Sequence, residues 1–204
     1  LRRGRGGYVF VMGFRKWFMK KKNLEDSESY FAKSNFTLLT TPDLYLENTI
    51  DKISSYNLDV ILLIGNFGII REPLISLVPK GILSYHHGDM RKYRGMPPAF
   101  WELYNGESEM GLTVQRLSSK LDLGSPIVEK KVKIKANDSL SKLKKRAYFE
   151  SKDMMYTALN KISKSRPIES ALINAGKIYT LPNLKQWLIL NFKVFFRKIK
   201  VFLK

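Results

Sequence analysis

Cysteine is absent from this 204-residue chain, and histidine occurs only twice. The first absence removes disulfide stapling, thiolate metal sites and a cysteine nucleophile. The second argues against a multi-histidine metal centre, because catalytic zinc draws on three protein ligands with imidazole prominent among them. No metal is therefore expected. No run reaches the roughly 18 uninterrupted apolar residues of a membrane span. Arg15 and Lys16 break the apolar stretch near the N-terminus, so no signal-peptide pattern forms. A reducing cytoplasm fits these absences. Acidic residues are scarce as well, 18 against 36 lysines and arginines.

What is present suits one domain: 44% hydrophobic and 12% aromatic residues are enough to bury a core. The net charge of +18 lies at the ends. Residues 1–22 carry eight basic side chains and residues 183–204 carry six, neither with an acid, which leaves +4 for the 160 residues between. The chain thus divides into a basic amphipathic N-terminal segment (1–22), an α/β domain (23–165) and a C-terminal extension with an amphipathic helix (166–204). The glycines Gly4, Gly6 and Gly7 invite a phosphate-loop reading, but no strand precedes them and no Lys-Ser or Lys-Thr pair comes after. A flexible lead into an amphipathic helix is the better reading. The chain opens on Leu1 rather than Met, which suggests a fragment or a processed start, with a strand and a glycine turn expected upstream.

Along the middle, the pattern predicts a strand at 36–40, a helix at 43–56 and a buried parallel strand at 58–65, where aliphatic residues run almost unbroken. A short helix at 73–78 precedes a strand at 81–85, then come a helix at 99–104 and alternating strands at 111–117 and 127–134. Asp138 is the expected N-cap of one long helix at 139–164. A helix at 168–175 and a short extended piece at 178–180 come next. Strand, helix, strand implies a mostly parallel, Rossmann-like sheet with sites beyond the carboxyl ends of its strands. From 184 onward, aromatic and aliphatic residues recur at three- and four-residue steps beside a stripe of Lys193, Arg197, Lys200 and Lys204. That is a basic amphipathic helix suited to an anionic membrane surface. Docking onto the domain or a sister subunit in a homo-oligomer is the next reading, with nucleic acid behind it.

Both histidines sit in one stretch, Gly81 to Gly95, where an apolar strand delivers His86 and His87 into a loop of glycine, aspartate and arginine. Residues 58–134, which contain this stretch, resemble the formyltransferases that use 10-formyltetrahydrofolate, namely those acting on glycinamide ribonucleotide, methionyl-tRNA and amino sugars. The resemblance is carried, in order, by Ser84-Tyr85-His86, Tyr93-Arg94-Gly95, Pro98-Ala99-Phe100-Trp101, Gly111-Leu112-Thr113 and Asp122-Leu123-Gly124. It departs at Ser84, where the family has asparagine, and at Arg91, where it has a loop proline.

The resemblance implies a formyltransferase moving the formyl group of 10-formyltetrahydrofolate to a primary amine. Such a transfer needs a donor for the developing oxyanion and a route for the amine proton. His86 and Asp122 are the implied catalytic pair, with Ser84 beside them. The folate is expected against Asn66, Phe67, Gly68, Ile69 and Ile70, and against the backbone of Leu121 and Gly124. His87, Arg94, Gly95 and Pro98 are candidates for the acceptor side. Bland readings stand beside these: His87 as a structural histidine, Arg94 as a brace, Asp89 as a loop cap, Asp122 as a turn residue and Trp101 as core. The family's tRNA enzymes carry a C-terminal β-barrel for which 40 residues after Lys164 leave no room, so an amino sugar, nucleotide- or lipid-linked, is the expected acceptor. The alternative is a catalytically degenerate binding module on a membrane surface.

Overall fold

The computed structural model describes residues 37–65, 68–164 and 174–203. The basic segment 1–22, Asn66 and Phe67, and most of the helix expected at 168–175 lie outside the described residues.

Helix α1 (Glu47–Ser55) leads into strand β1 (Ile61–Leu63), which pairs in parallel with β2 (Ile82–His86). After β3 (Tyr93–Gly95) and α2 (Phe100–Asn105) come β4 (Glu109–Arg116) and β5 (Ser125–Lys133). The main sheet has the order β1-β2-β4-β5, with β4 antiparallel to both neighbours. It is the Rossmann-like α/β architecture with a mixed sheet, parallel where β1 meets β2. The antiparallel pairing of β4 with β5 arises because a short connection, rather than a crossover helix, links them.

Several local expectations differ from the structure for identifiable reasons. Residues 37–40 form no strand, and Leu38 and Leu39 are exposed. The helix expected from residue 43 starts at Glu47, because Asp43 Oδ1 accepts from Tyr45 N and holds a turn instead. The segment 73–78 is a run of turns with one Leu77 N to Leu74 O bond, tied by Ser76 N and Oγ to the Glu72 carboxylate. In β1, Leu62 is exposed rather than covered.

The long helix expected at 139–164 is two helices, α3 (Leu140–Ser151) and α4 (Met154–Lys164). The hydroxyl of Tyr85, on β2, donates to Ser151 O and accepts from Met155 N, so it stands inside the i to i−4 bond that would have joined them. The N-cap of α3 is Ser139, whose side chain accepts from Lys142 N, while Asp138 is turned inward to Arg146.

The last described segments are knitted to the domain. Strand β6 (Lys177–Tyr179) pairs in parallel with β3, and Gly95 is required there. Its φ is +84°, and a Cβ would run into Tyr179 O. Helix α5 (Leu184–Phe202) begins with a capping box between Asn183 and Gln186 and packs on α2. The main core gathers Leu83, Phe100, Leu103, Met110, Leu112, Val114, Leu143 and Leu190, and a second cluster of Ile70, Leu74, Val78 and Ile82 lies on the other face of β2.

Candidate active site

Strand alternation on β2 puts Ser84 and His86 on one face and Tyr85 and His87 on the other. On β4, antiparallel register sets Gln115 opposite Ser84 and Thr113 opposite His86. The turn after β4 then carries Asp122 back over this face, with a positive φ of 45°.

The geometry centres on the Asp122 carboxylate. Oδ2 accepts from Gly95 N at 2.6 Å, Oδ1 accepts from Gln115 Nε2 at 3.0 Å, and His86 Nδ1 lies 3.3 Å from Oδ1. On the other side of the ring, Nε2 is 2.7 Å from Tyr93 O. A backbone carbonyl only accepts, so Nε2 carries a proton. A neutral ring would then turn a lone pair at the carboxylate, whereas the imidazolium satisfies both neighbours.

Burial acts to lower the His86 pKa. The Asp122 hydrogen bond and charge, the Tyr93 carbonyl and the charge of Glu102 outweigh it, and the pKa rises above its ordinary 6.5. For Asp122, burial acts upward but is outweighed by His86, Gly95 N–H and Gln115, which hold the carboxyl below its ordinary range. The signs give a pH window. A raised histidine pKa contributes stability fully below 6.5 and loses it as pH rises through the folded value. A lowered aspartate pKa contributes above 3.8 and loses it as pH falls through the folded value. Both contributions are in force together between these limits.

His87 faces the other way. It stacks on Tyr85, meets the edge of Tyr148 and lies 3.1 Å from Ser151 Oγ. Burial, then the charges of His86 and Lys144, lower its pKa to about 4. A neutral, half-buried histidine favours folding above 6.5 and opposes it progressively as pH falls toward 4, by about 2 kcal/mol after allowing for partial exposure. Chemical denaturation of His87→Phe between pH 7 and pH 4 is expected to show a flatter stability profile than the parent chain.

The other expected site residues divide between braces, loop positions and core. Arg94 acts as a brace, its Nε donating to Gly176 O (2.7 Å) and Nη1 reaching Leu121 O (3.4 Å). Leu121 thus lies beside Asp122 through its carbonyl, and Gly124 lies against the β4 backbone, where a Cβ would strike Arg116 O. Pro98 is half-buried ahead of α2, and Asp89 caps its loop by accepting from Arg91 N. Gly68 and Ile69 are exposed. Ile70 is buried in the second core with Leu74 and Val78, so its side chain walls no open cleft.

Gln115 escaped the sequence reading. It is 1% exposed, holds Asp122 through its amide nitrogen, and leaves Oε1 buried with no hydrogen-bond partner. A signal existed: Thr113 and Gln115 are polar, two residues apart, and alternate with the core residues Leu112 and Val114. Glu102 was missed too. It is buried in the first turn of α2, within electrostatic reach of His86, and burial pushes its carboxyl up to about 7. It lines a cavity of about 240 Å³ together with Asp89, Tyr93 and Thr113. Among the described residues no group of three or more His, Cys, Asp or Glu could hold a metal ion.

The His86–Asp122 pair lies at the carboxyl end of β2, the rim where open α/β sheets hold their ligands. The chain belongs to the formyl transferase family, whose profile matches residues 9–159. The methionyl-tRNA formyltransferase of Borreliella afzelii is 30% identical over 118 residues, covering 58% of this chain and 38% of that protein. The bifunctional polymyxin resistance protein ArnA of Wigglesworthia glossinidia brevipalpis is 28% identical over 148 residues, covering 72% of this chain and 21% of that one. The chain thus spans well under half the length of these curated relatives. Its fold is shared with the formyltransferase PseJ of Anoxybacillus kamchatkensis, solved with a formamido sugar nucleotide and tetrahydrofolate (TM-score 0.56, 23% identity, covering 74% of this chain and 75% of that one). It is also shared with glycinamide ribonucleotide transformylase 1 of Symbiobacterium toebii (TM-score 0.57, 21% identity, covering 64% and 62%).

Proposed function

We propose that the chain transfers the formyl group of 10-formyltetrahydrofolate to a primary amine, with an amino sugar, nucleotide- or lipid-linked, as the acceptor class. The observation that carries this reading is the fixed His86–Asp122 pair in a member of the formyl transferase family. The ligands of PseJ support the amino-sugar reading, and the methionyl-tRNA enzymes among the relatives support the competing acceptor.

The amine nitrogen attacks the formyl carbon, the bond from that carbon to the folate nitrogen breaks, and the proton lost by the amine is returned to the leaving nitrogen. His86 supplies a donor to the developing oxyanion by exchanging its Tyr93 O partner for the substrate oxygen. Asp122 keeps the ring charged and oriented, and Gly95 N–H and Gln115 keep Asp122 in place. The orphaned Gln115 Oε1, buried beside Gly124, is an acceptor that suits an N–H-bearing ligand such as the folate's pterin. Ser84 lies on the same face two residues before His86 and is a candidate second donor.

Gly88 leaves room beside the ring, since a Cβ there would lie 2.7 Å from His86 Nε2. Gly88→Ala is therefore expected to displace the ring and lower kcat about tenfold with little change in KM, given that a 1 Å misplacement can cost about 10²-fold. Steady-state release of tetrahydrofolate measures this. The same assay, run with amino-sugar nucleotides and with methionyl-tRNA, tests the function. No turnover with any primary amine, and no difference between the parent chain and His86→Ala, would end the proposal.

A further inference from the structure

Helix α5 has apolar side chains on two sides. One stripe docks: Leu190 is buried, and Trp187 and Val194 pack against the main core. Lys193 Nζ donates to Tyr104 O at 2.6 Å and Arg197 Nη2 to Lys135 O at 2.9 Å, pinning that side to the domain. At 3.6 residues per turn, Leu184, Leu188, Phe192, Phe195 and Phe202 fall on the side facing away from Leu190. This second side is bare, with Phe192 62%, Phe195 56% and Phe202 89% exposed. So large a run of exposed aromatic and aliphatic side chains on one face marks an interaction surface.

Charge selects the partner. Residues 183–204 contain six basic residues and no acid. A groove of about 480 Å³ beside this face is lined by Leu103, Phe192 and Phe196 together with Lys193, Arg197 and Lys200. A second copy of the chain laid face to face would bring two acid-free, strongly positive helices together, which opposes pairing. Anionic lipid offers what this surface lacks: negative headgroups for the exposed Lys185, Lys198 and Lys200, and an apolar boundary for the phenylalanines. No helix among the described residues is long and apolar enough to cross a membrane, so the arrangement fits a helix lying on the surface. The capping box at Asn183 and the docked stripe also hold α5 in place without lipid, which presents the face preformed.

We infer that the outward face of α5 is a docking surface for anionic membranes, with Phe192, Phe195 and Phe202 in the headgroup–acyl boundary and the exposed Lys185, Lys198 and Lys200 against lipid phosphates. This stands independently of the transfer chemistry. It brings the domain to a surface where lipid-linked acceptors would be concentrated.

The test is co-sedimentation of the full chain with vesicles of phosphatidylcholine alone and of phosphatidylcholine containing phosphatidylserine. Partition is expected to be at least about tenfold stronger with phosphatidylserine and to weaken with salt. Phe192→Gln/Phe195→Gln/Phe202→Gln, all at exposed positions, is expected to abolish it while circular dichroism shows unchanged helix. Lys198→Gln/Lys200→Gln is expected to lower it roughly fivefold per lysine. Equal partition to both vesicles, or a triple variant that binds as the parent does, overturns the inference. So does a parent chain that ignores vesicles but forms a dimer, or retains tRNA, through the same three phenylalanines.

Discussion

Asp122→Asn is expected to lower kcat for formyl transfer by about 10²–10³-fold, the range for losing one oxyanion-hole donor, because His86 loses the charge and orientation that make it one. The reason lies in how many donors converge. Gly95 N–H, Gln115 Nε2 and His86 Nδ1 all point at the two carboxylate oxygens. Asparagine keeps one oxygen and replaces the other with an NH₂ group, so at least one N–H would face another donor. The negative charge that raises the His86 pKa also goes, and the buried ring then favours its neutral form. Asp122 itself is assigned no contact with the folate or the acceptor, so the loss should fall mainly on kcat. A variant that retains turnover within about twofold of the parent would show that the carboxylate is only a turn residue.

Arg146→Leu is expected to destabilise the fold by about 3 kcal/mol, the lower end for breaking one half of a buried ion pair. Asp138 is 2% exposed and accepts from Lys135 N at 2.7 Å and from Arg146 Nη1 at 2.9 Å, with a second contact from Arg146 Nη2. Removing Arg146 leaves that carboxylate buried with only a backbone donor. Arg146 Nη2 also donates to Lys133 O, so the same guanidinium joins the end of β5 to α3. Urea denaturation at neutral pH measures the loss. Arg146→Leu/Asp138→Leu is expected to recover much of it, because no charge is then stranded.

Much of this molecule was legible because its chemistry is local. His86, Asp122 and Gly95 stand in short motifs whose order survives in the sequence, and the capping box and aromatic spacing of α5 are visible in residues 183–202. What was not legible depends on partners distant along the chain. Nothing near residue 152 announces a break between α3 and α4, because the group that interrupts the helix is the hydroxyl of Tyr85, 70 residues before Met155. Asp138 had the right identity for a cap and the wrong neighbours, since Arg146, further along α3, turned it inward. Ile70 sat in a stretch expected to wall a folate, but hydrophobic burial with Leu74 and Ile82 claimed its side chain. Gln115 carried a signal, a polar residue at an inward strand position, whose meaning needed the Asp122 turn folded over it.

The presence of only two histidines makes one measurement decisive: an NMR titration of both imidazoles in the parent chain and in Asp122→Asn. His86, paired with the carboxylate, is predicted to titrate above its ordinary 6.5, and His87, packed half-buried against Tyr85 and Tyr148, near 4. Asp122→Asn should bring the first down, while the second, relieved of the His86 charge but still desolvated, should move upward and stay below 6.5. Two histidines titrating alike near 6.5, or a His86 indifferent to the loss of Asp122, would contradict the paired site.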